Sequence, residues 1–291
     1  MDLVTVTNNV FAPCVFNLIE SYRLNSSNEQ VHIVYFDLEQ EYVDLFKKTY
    51  GKQVNLIPVQ KDCEHAFNPR FYFPKGFALK YAAQNLKTFL MCDASHAFVN
   101  KTYDLEYLIE KDTRFFIEYP GKIFKNKHWC SKKSLDILKC NTEEIREAQS
   151  YWSGLHGYVV NDENKQMLME QYDALTIKDV AGPSNLIRYP DGPKTDCIGH
   201  RNDQSVLSLM IYKYGFRQPF DLLKYNRYGD LQTMQVMMPN IYSQFDLNKV
   251  AMHSRFSKGN NFYFLKKDLL RELEKISEIY KIDRNTGRVF R

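Results

Sequence analysis

The stretch FLMCDAS, Phe89 to Ser95, sets four apolar residues directly before an aspartate. A run that short and that continuously apolar reads as a strand covered on both faces, with Asp93 at its carboxyl end. Working back towards the N-terminus, three more such runs come into view: Leu3 to Thr7, VHIVYFDL (Val31 to Leu38) and Val54 to Val59. Between them lie helical patterns. Phe11, Val15, Leu18, Ile19 and Tyr22 recur at helical spacing after Asn8 and Asn9 as possible caps, with Pro13 in the first turn, where it is tolerated. Glu39 to Tyr50 and Phe77 to Leu86 read as two further helices. Alternating strands and helices imply an α/β fold with a Rossmann-like, mostly parallel central sheet and helices on both faces, because parallel strands need crossover connections. Such sheets bind ligands at the carboxyl ends of their strands, which is where Asp93 falls.

The 291 residues can bury a large core, and 44% hydrophobic and 25% charged residues exclude disorder and repeat fibres. We expect a single domain over 1–291, with a nucleotide-binding half (1–120) and an acceptor-binding, closing half (121–291) where β-α alternation gives way to longer loops. A net charge of +4 on 39 basic and 35 acidic side chains sets up no field for nucleic acid. Six scattered cysteines without a C-x-x-C pair suit reduced thiols rather than a zinc site. The chain opens in a strand at MDLVTVTNN and holds no apolar run approaching a membrane span, so no signal peptide or transmembrane segment is expected and the location expected is cytoplasmic.

Outward in the other direction, residues 61–76 (KDCEHAFNPRFYFPKG) are aromatic and proline-bearing and read as loop. Tyr103 to Glu110 should form a helix, Phe115 to Glu118 a strand, and KIFKNKHWCSKK (122–133) a basic loop, either a solvated surface or an acceptor-binding lip. LHGYVVN (155–161) reads as a strand and Glu163 to Leu175 as a helix. A long turn-rich loop follows over 179–197. A helix from about Asp203 has Val206, Leu207, Met210 and Ile211 on its inner face, and a last helix spans Leu265 to Tyr280.

Four local patterns occur in one order: CDAS (92–95), WSGLHGYVV (152–160), RNDQSVLS (201–208) and MHSRFSKG (252–259). In that order they resemble the GT-A glycosyltransferases, most closely the glycogenin-like branch that transfers sugars from UDP-sugars with retention. The resemblance implies a nucleotide-sugar donor, a glycan or glycoprotein acceptor, and Mn²⁺ or Mg²⁺ held by Asp93, Ser95 and His253. Hard cations of that kind choose carboxylate and phosphate oxygens. Lys258 would hold the diphosphate, Asp203 and Gln204 would face the transferred sugar as catalytic residues, and Thr7 and Asn8 would hold the base and ribose. Ser153 and Gly154 would let backbone approach the donor closely, with Trp152 and His156 near the sugar or acceptor. Lys80, thirteen residues before Asp93, would point to the phosphates.

Each residue also has a structural reading. Asp93 alone could be a turn residue, Lys80 a solvated helix lysine, His253 a packed histidine, WSG a turn into a core strand, and Asn202 or Asp203 a helix N-cap. The chain also departs from the branch. Ser95 stands where a second aspartate is usual and adds no negative charge. Phe256 replaces a glycine of the closing motif, and Gly259-Asn260 replaces Pro-Trp. A catalytically weak or inactive GT-A homologue, acting as a nucleotide- or glycan-binding module, is therefore the rival reading. A nucleotidyltransferase is disfavoured because no glycine-rich phosphate loop follows the first strand, and no G-x-S-x-G points to a hydrolase.

Overall fold

The apolar runs become strands where the sequence predicts. The computed structural model describes residues 1–26, 30–96, 98, 102–118, 124–182 and 197–216. Within them, β1 is Asp2–Thr7, β2 Val31–Tyr35, β3 Val54–Pro58, β4 Thr88–Cys92, β5 Arg114–Glu118 and β6 Tyr151–Val159. They form one sheet in the order β3-β2-β1-β4-β6-β5. The pairs β1–β2, β2–β3 and β1–β4 are parallel, while β6 runs antiparallel between β4 and β5. Side chains of one strand alternate between two cores. Val4, Phe89 and Met91 face one, whereas Leu3, Leu90 and Cys92 face the other.

Helices cover both faces. On the first lie α3 (Phe73–Asn85), α8 (Asp162–Thr176) and α10 (Asn202–Lys213); on the second lie α1 (Ala12–Asn25), α2 (Gln40–Tyr50) and α4 (Tyr103–Asp112). The shorter α5 (Asn126–Trp129), α6 (Lys132–Ile137), α7 (Glu143–Glu147) and α9 (Lys178–Ala181) pack around the β6 and α10 end. Val206, Leu207, Met210 and Ile211 are fully buried, as the periodicity of α10 requires. Among the described residues no helix is long and apolar enough to cross a membrane. None of the six cysteines forms a disulfide.

Four boundaries differ from the sequence reading. Helix α3 begins at Phe73 rather than Phe77, because Pro74 sits in its first turn, where a missing N–H costs nothing. The basic stretch is not a loop over its described part: it folds into α5 and α6, and Lys125 and Lys127 both pair with Glu147 at 2.7 Å. Strand β6 starts at Tyr151, so WSG belongs to the ladder rather than to a turn before it. Neither Asn202 nor Asp203 is the N-cap of α10. Arg201 takes that position, and the Asn202 side chain instead donates to Arg70 O at 3.0 Å, Ala181 O at 2.5 Å and Gly182 O. Residues 183–196, the helix expected over 265–280, and His253 and Lys258 lie outside the described residues.

Candidate functional site

The carboxyl ends of β1, β2 and β4 meet the N-terminal ends of α1 and α3 at a cleft of about 390 Å³, within the range of small-molecule sites. Val6, Thr7, Asn8 and Phe11 line it from the β1–α1 turn, Tyr72 from just before α3, Pro74 and Lys75 from the first turn of α3, and Asp93, Ala94 and Ser95 from the end of β4. Asn8 shapes the first of these segments: its Oδ1 accepts from the amides of Val10 (3.0 Å) and Phe11 (3.2 Å), and this closes the turn into α1. Asn9 locks the same turn to α2 by accepting from Glu39 N at 2.7 Å.

Asp93 is fixed by strand pairing carried one residue past β4. Its amide donates to Gly154 O at 3.0 Å, and its own carbonyl accepts from the His96 amide at 3.1 Å. The carboxylate opens on the cleft, and its Oδ1 lies 2.6 Å from Lys75 Nζ. The same ammonium meets Asp203 Oδ2 at 2.8 Å. One buried cation thus joins the end of β4 to the first turn of α10. Burial alone would pull the Lys75 pKa down, but the carboxylates of Asp203 and Asp93 outweigh it and hold the ammonium above its ordinary value. Burial pushes Asp93 up too, yet Lys75 and His96 bring it below the usual carboxylate range. Asp203 ends above that range, because burial and the Asp93 charge exceed the help from Lys75 and Ser153.

Strand β6 brings up the remaining groups. Ser153 is buried and hydrogen-bonds Asp203. The close approach at Gly154 is made by a protein ring: a Cβ there would stand 2.5 Å from the Trp152 indole, which packs beside His96 at 5.3 Å. His156 is buried and bonded through Nδ1 to Tyr158 at 2.9 Å. Burial, then the Lys75 charge, takes its pKa down to about 3, so it is neutral near pH 7. Gln204 is buried beside Asp203.

Of the residues expected from sequence, Thr7, Asn8, Asp93 and Ser95 line the cleft, and Asp203 joins them through Lys75. Lys80 does not line the cleft. It bonds Asp62 at 3.3 Å and Tyr172 at 3.1 Å, two turns or less along α3 from Lys75. Lys75 and Tyr72 are the site residues that the sequence reading missed. Tyr72 holds a left-handed backbone (φ 55°) just before α3 and sets its ring 5.7 Å from Lys75 Nζ. The available signal was Pro74, whose preference for the first helical position would have put Lys75 in a first turn.

The Mn²⁺ or Mg²⁺ expected from sequence fits this arrangement poorly. Among the described residues no group of three His, Cys, Asp or Glu side chains could hold a metal. Asp93 already carries an ammonium, and Ser95 contributes no charge. His253, the third expected ligand, is outside the described residues.

No protein-family model matches the chain, and no curated protein sequence does. Solved structures do resemble it. The bifunctional glycosyltransferase WbbM in its apo form aligns at 9% identity and TM-score 0.44, over 74% of this chain and 38% of that one. Core-mannan synthase A (CmsA/Ktr4) from Aspergillus fumigatus, in its Mn/GDP form, aligns at 10% identity and TM-score 0.45, over 72% of this chain and 68% of that one. The glycosyltransferase GlyE in Streptococcus pneumoniae TIGR4 aligns at 10% identity and TM-score 0.47, over 95% of this chain and 63% of that one. The six-stranded, mostly parallel sheet with helices on both faces is the α/β arrangement expected from the sequence.

Proposed function

We propose that this chain is a glycosyltransferase that takes a sugar from a nucleotide-diphosphate donor, a UDP-sugar by its sequence resemblance, and passes it to a glycan or protein acceptor. The observation that carries this reading is the Asp93–Lys75–Asp203 cluster at the floor of a cleft on the carboxyl edge of a parallel sheet. The lining combines two chemistries. Thr7, Asn8 and Phe11, with the Tyr72 ring beside Lys75, offer polar groups and ring faces suited to a base and ribose, whereas Lys75 offers a cation suited to a diphosphate. Asp203, steadied by Ser153 and Lys75, and Gln204 are then the residues to hold the transferred sugar. Its anomeric carbon gains oxocarbenium character as the diphosphate leaves. Lys258, outside the described residues, is proposed as a second cation for the diphosphate.

The resemblance to the glycogenin-like branch supports retention of anomeric configuration. An Asp203 acting as base would instead give inversion, so proton NMR of the first-formed product distinguishes the two. The activity itself is tested by incubating the protein with UDP- and GDP-sugars and following release of free nucleotide. Release by the wild type that Asp203→Asn loses, with nucleotide binding kept, supports the assignment. No release from any donor, with tight nucleotide binding, favours a binding module, a reading suggested by the engagement of both carboxylates with Lys75.

A further inference from the structure

Given a diphosphate donor as proposed above, we infer that this chain binds it and transfers its sugar without a divalent cation, the Lys75 ammonium standing where a metal would neutralise the leaving group. Among the described residues that line the cleft, Lys75 is the one cation and Asp93 the one acid. They are in direct contact at 2.6 Å, so no ion fits between them. Asp203 grips the same ammonium at 2.8 Å from the opposite element, which keeps it from swinging aside for an arriving metal. An ammonium has three N–H donors, two of which are used by these carboxylates; the third is left for the cleft that Lys75 lines. Ser95 brings no charge that would favour a divalent ion over this arrangement. Of the buried imidazoles beside Asp93, His156 is bonded through Nδ1 to Tyr158, and His96 through Nδ1 to Asp93 O, with its Nε2 unpartnered among the described residues.

In the transfer step the bond from the anomeric carbon to the β-phosphate oxygen breaks, and its electron pair remains on that oxygen. The acceptor hydroxyl oxygen forms the new bond to the anomeric carbon, and its proton leaves on the diphosphate. Lys75 stays protonated throughout. Its fixed charge offsets the negative charge that grows on the β-phosphate, as a preorganised donor does.

The test is calorimetric titration of UDP and GDP into the full chain, once with excess EDTA and once with excess Mn²⁺. Affinity should be the same in both within about threefold, a difference of less than one decade in the dissociation constant. Electron paramagnetic resonance of Mn²⁺ should show no loss of free-ion signal beyond that caused by the nucleotide alone. Asp93→Asn separates the two pictures further. It removes a negative charge beside Lys75 and should leave nucleotide binding equal or stronger, whereas a metal-anchoring Asp93 requires binding to weaken about tenfold or more. Binding that appears only with Mn²⁺, or is lost in Asp93→Asn, overturns the inference and leaves the donor reading standing. Absence of nucleotide binding under both conditions overturns the donor reading and the inference together.

Discussion

Replacing Lys75 with methionine keeps the length of the side chain and removes the charge that holds two carboxylates together. Asp203 is then left almost fully buried, at 6% side-chain exposure, and Asp93 is 30% exposed. Removing one partner of a buried ion pair costs about 3–5 kcal/mol, and the lower part of that range applies to the portion carried by the more exposed Asp93. Against a typical domain stability of about 5–15 kcal/mol this is a large fraction, and it corresponds to a fall of about 10 °C in Tm for a chain of this size. The loss belongs mostly to the uncompensated Asp203 charge. Adding Asp203→Asn to Lys75→Met should therefore recover about half of it, although Asp203→Asn alone is destabilising. The pH dependence follows the same sign. Asp203 has its folded pKa raised, more so without Lys75, so the folded state binds the extra proton first and the penalty of Lys75→Met shrinks as pH falls towards the unfolded carboxylate value near ~3.9. Urea unfolding followed by circular dichroism, on the two single variants and the double variant at neutral and mildly acid pH, measures all of this. A Lys75→Met cost below about 1 kcal/mol, or additive losses in the double variant, would refute the buried-triad reasoning.

Three further outcomes are expected. His200 donates to Val180 O at 2.7 Å and accepts from the Ser131 amide at 3.3 Å, and burial takes its pKa down to about 4. Its contribution is complete above the unfolded value near ~6.5 and falls with pH below it, by about 2 kcal/mol at pH ~5, so His200→Gln should flatten the stability profile between neutral and mildly acid pH. Gly157→Ala would drive a methyl into Ile109 and Leu90 across the sheet, and unfolding should show a loss of about 1–3 kcal/mol with an unchanged m-value. Tyr72→Gly relieves a left-handed backbone worth about 1–2 kcal/mol and should leave stability equal or higher while UDP titration shows weaker binding; unchanged binding would remove Tyr72 from the site.

The strands of the N-terminal half were legible because each is a continuous apolar run, and that pattern requires burial on both faces. The antiparallel insertion of β6 was not, since period and composition specify a strand but not its direction or its neighbours. Asp93 and Asp203 could be found in the sequence because local context marks them, one ending a buried strand and the other opening an apolar helix. Lys75 had no such marker. It stands among aromatic residues and prolines without helical period, and its partner Asp203 is 128 residues away, a tertiary contact that no local pattern encodes. The same limit hid α5 and α6: Lys125 and Lys127 looked like a solvated loop until Glu147 supplied their counter-charge, and Lys133 of α6 pairs with Asp179.

A crystal structure of the full chain with UDP or a non-hydrolysable UDP-sugar decides whether a nucleotide-diphosphate sugar lies in the cleft between β1, α3 and the end of β4. The diphosphate should be in hydrogen-bond contact with Lys75 Nζ, the base against Phe11 and Tyr72, and the sugar towards Asp203. A nucleotide bound elsewhere, or with its diphosphate turned away from Lys75, would contradict this placement.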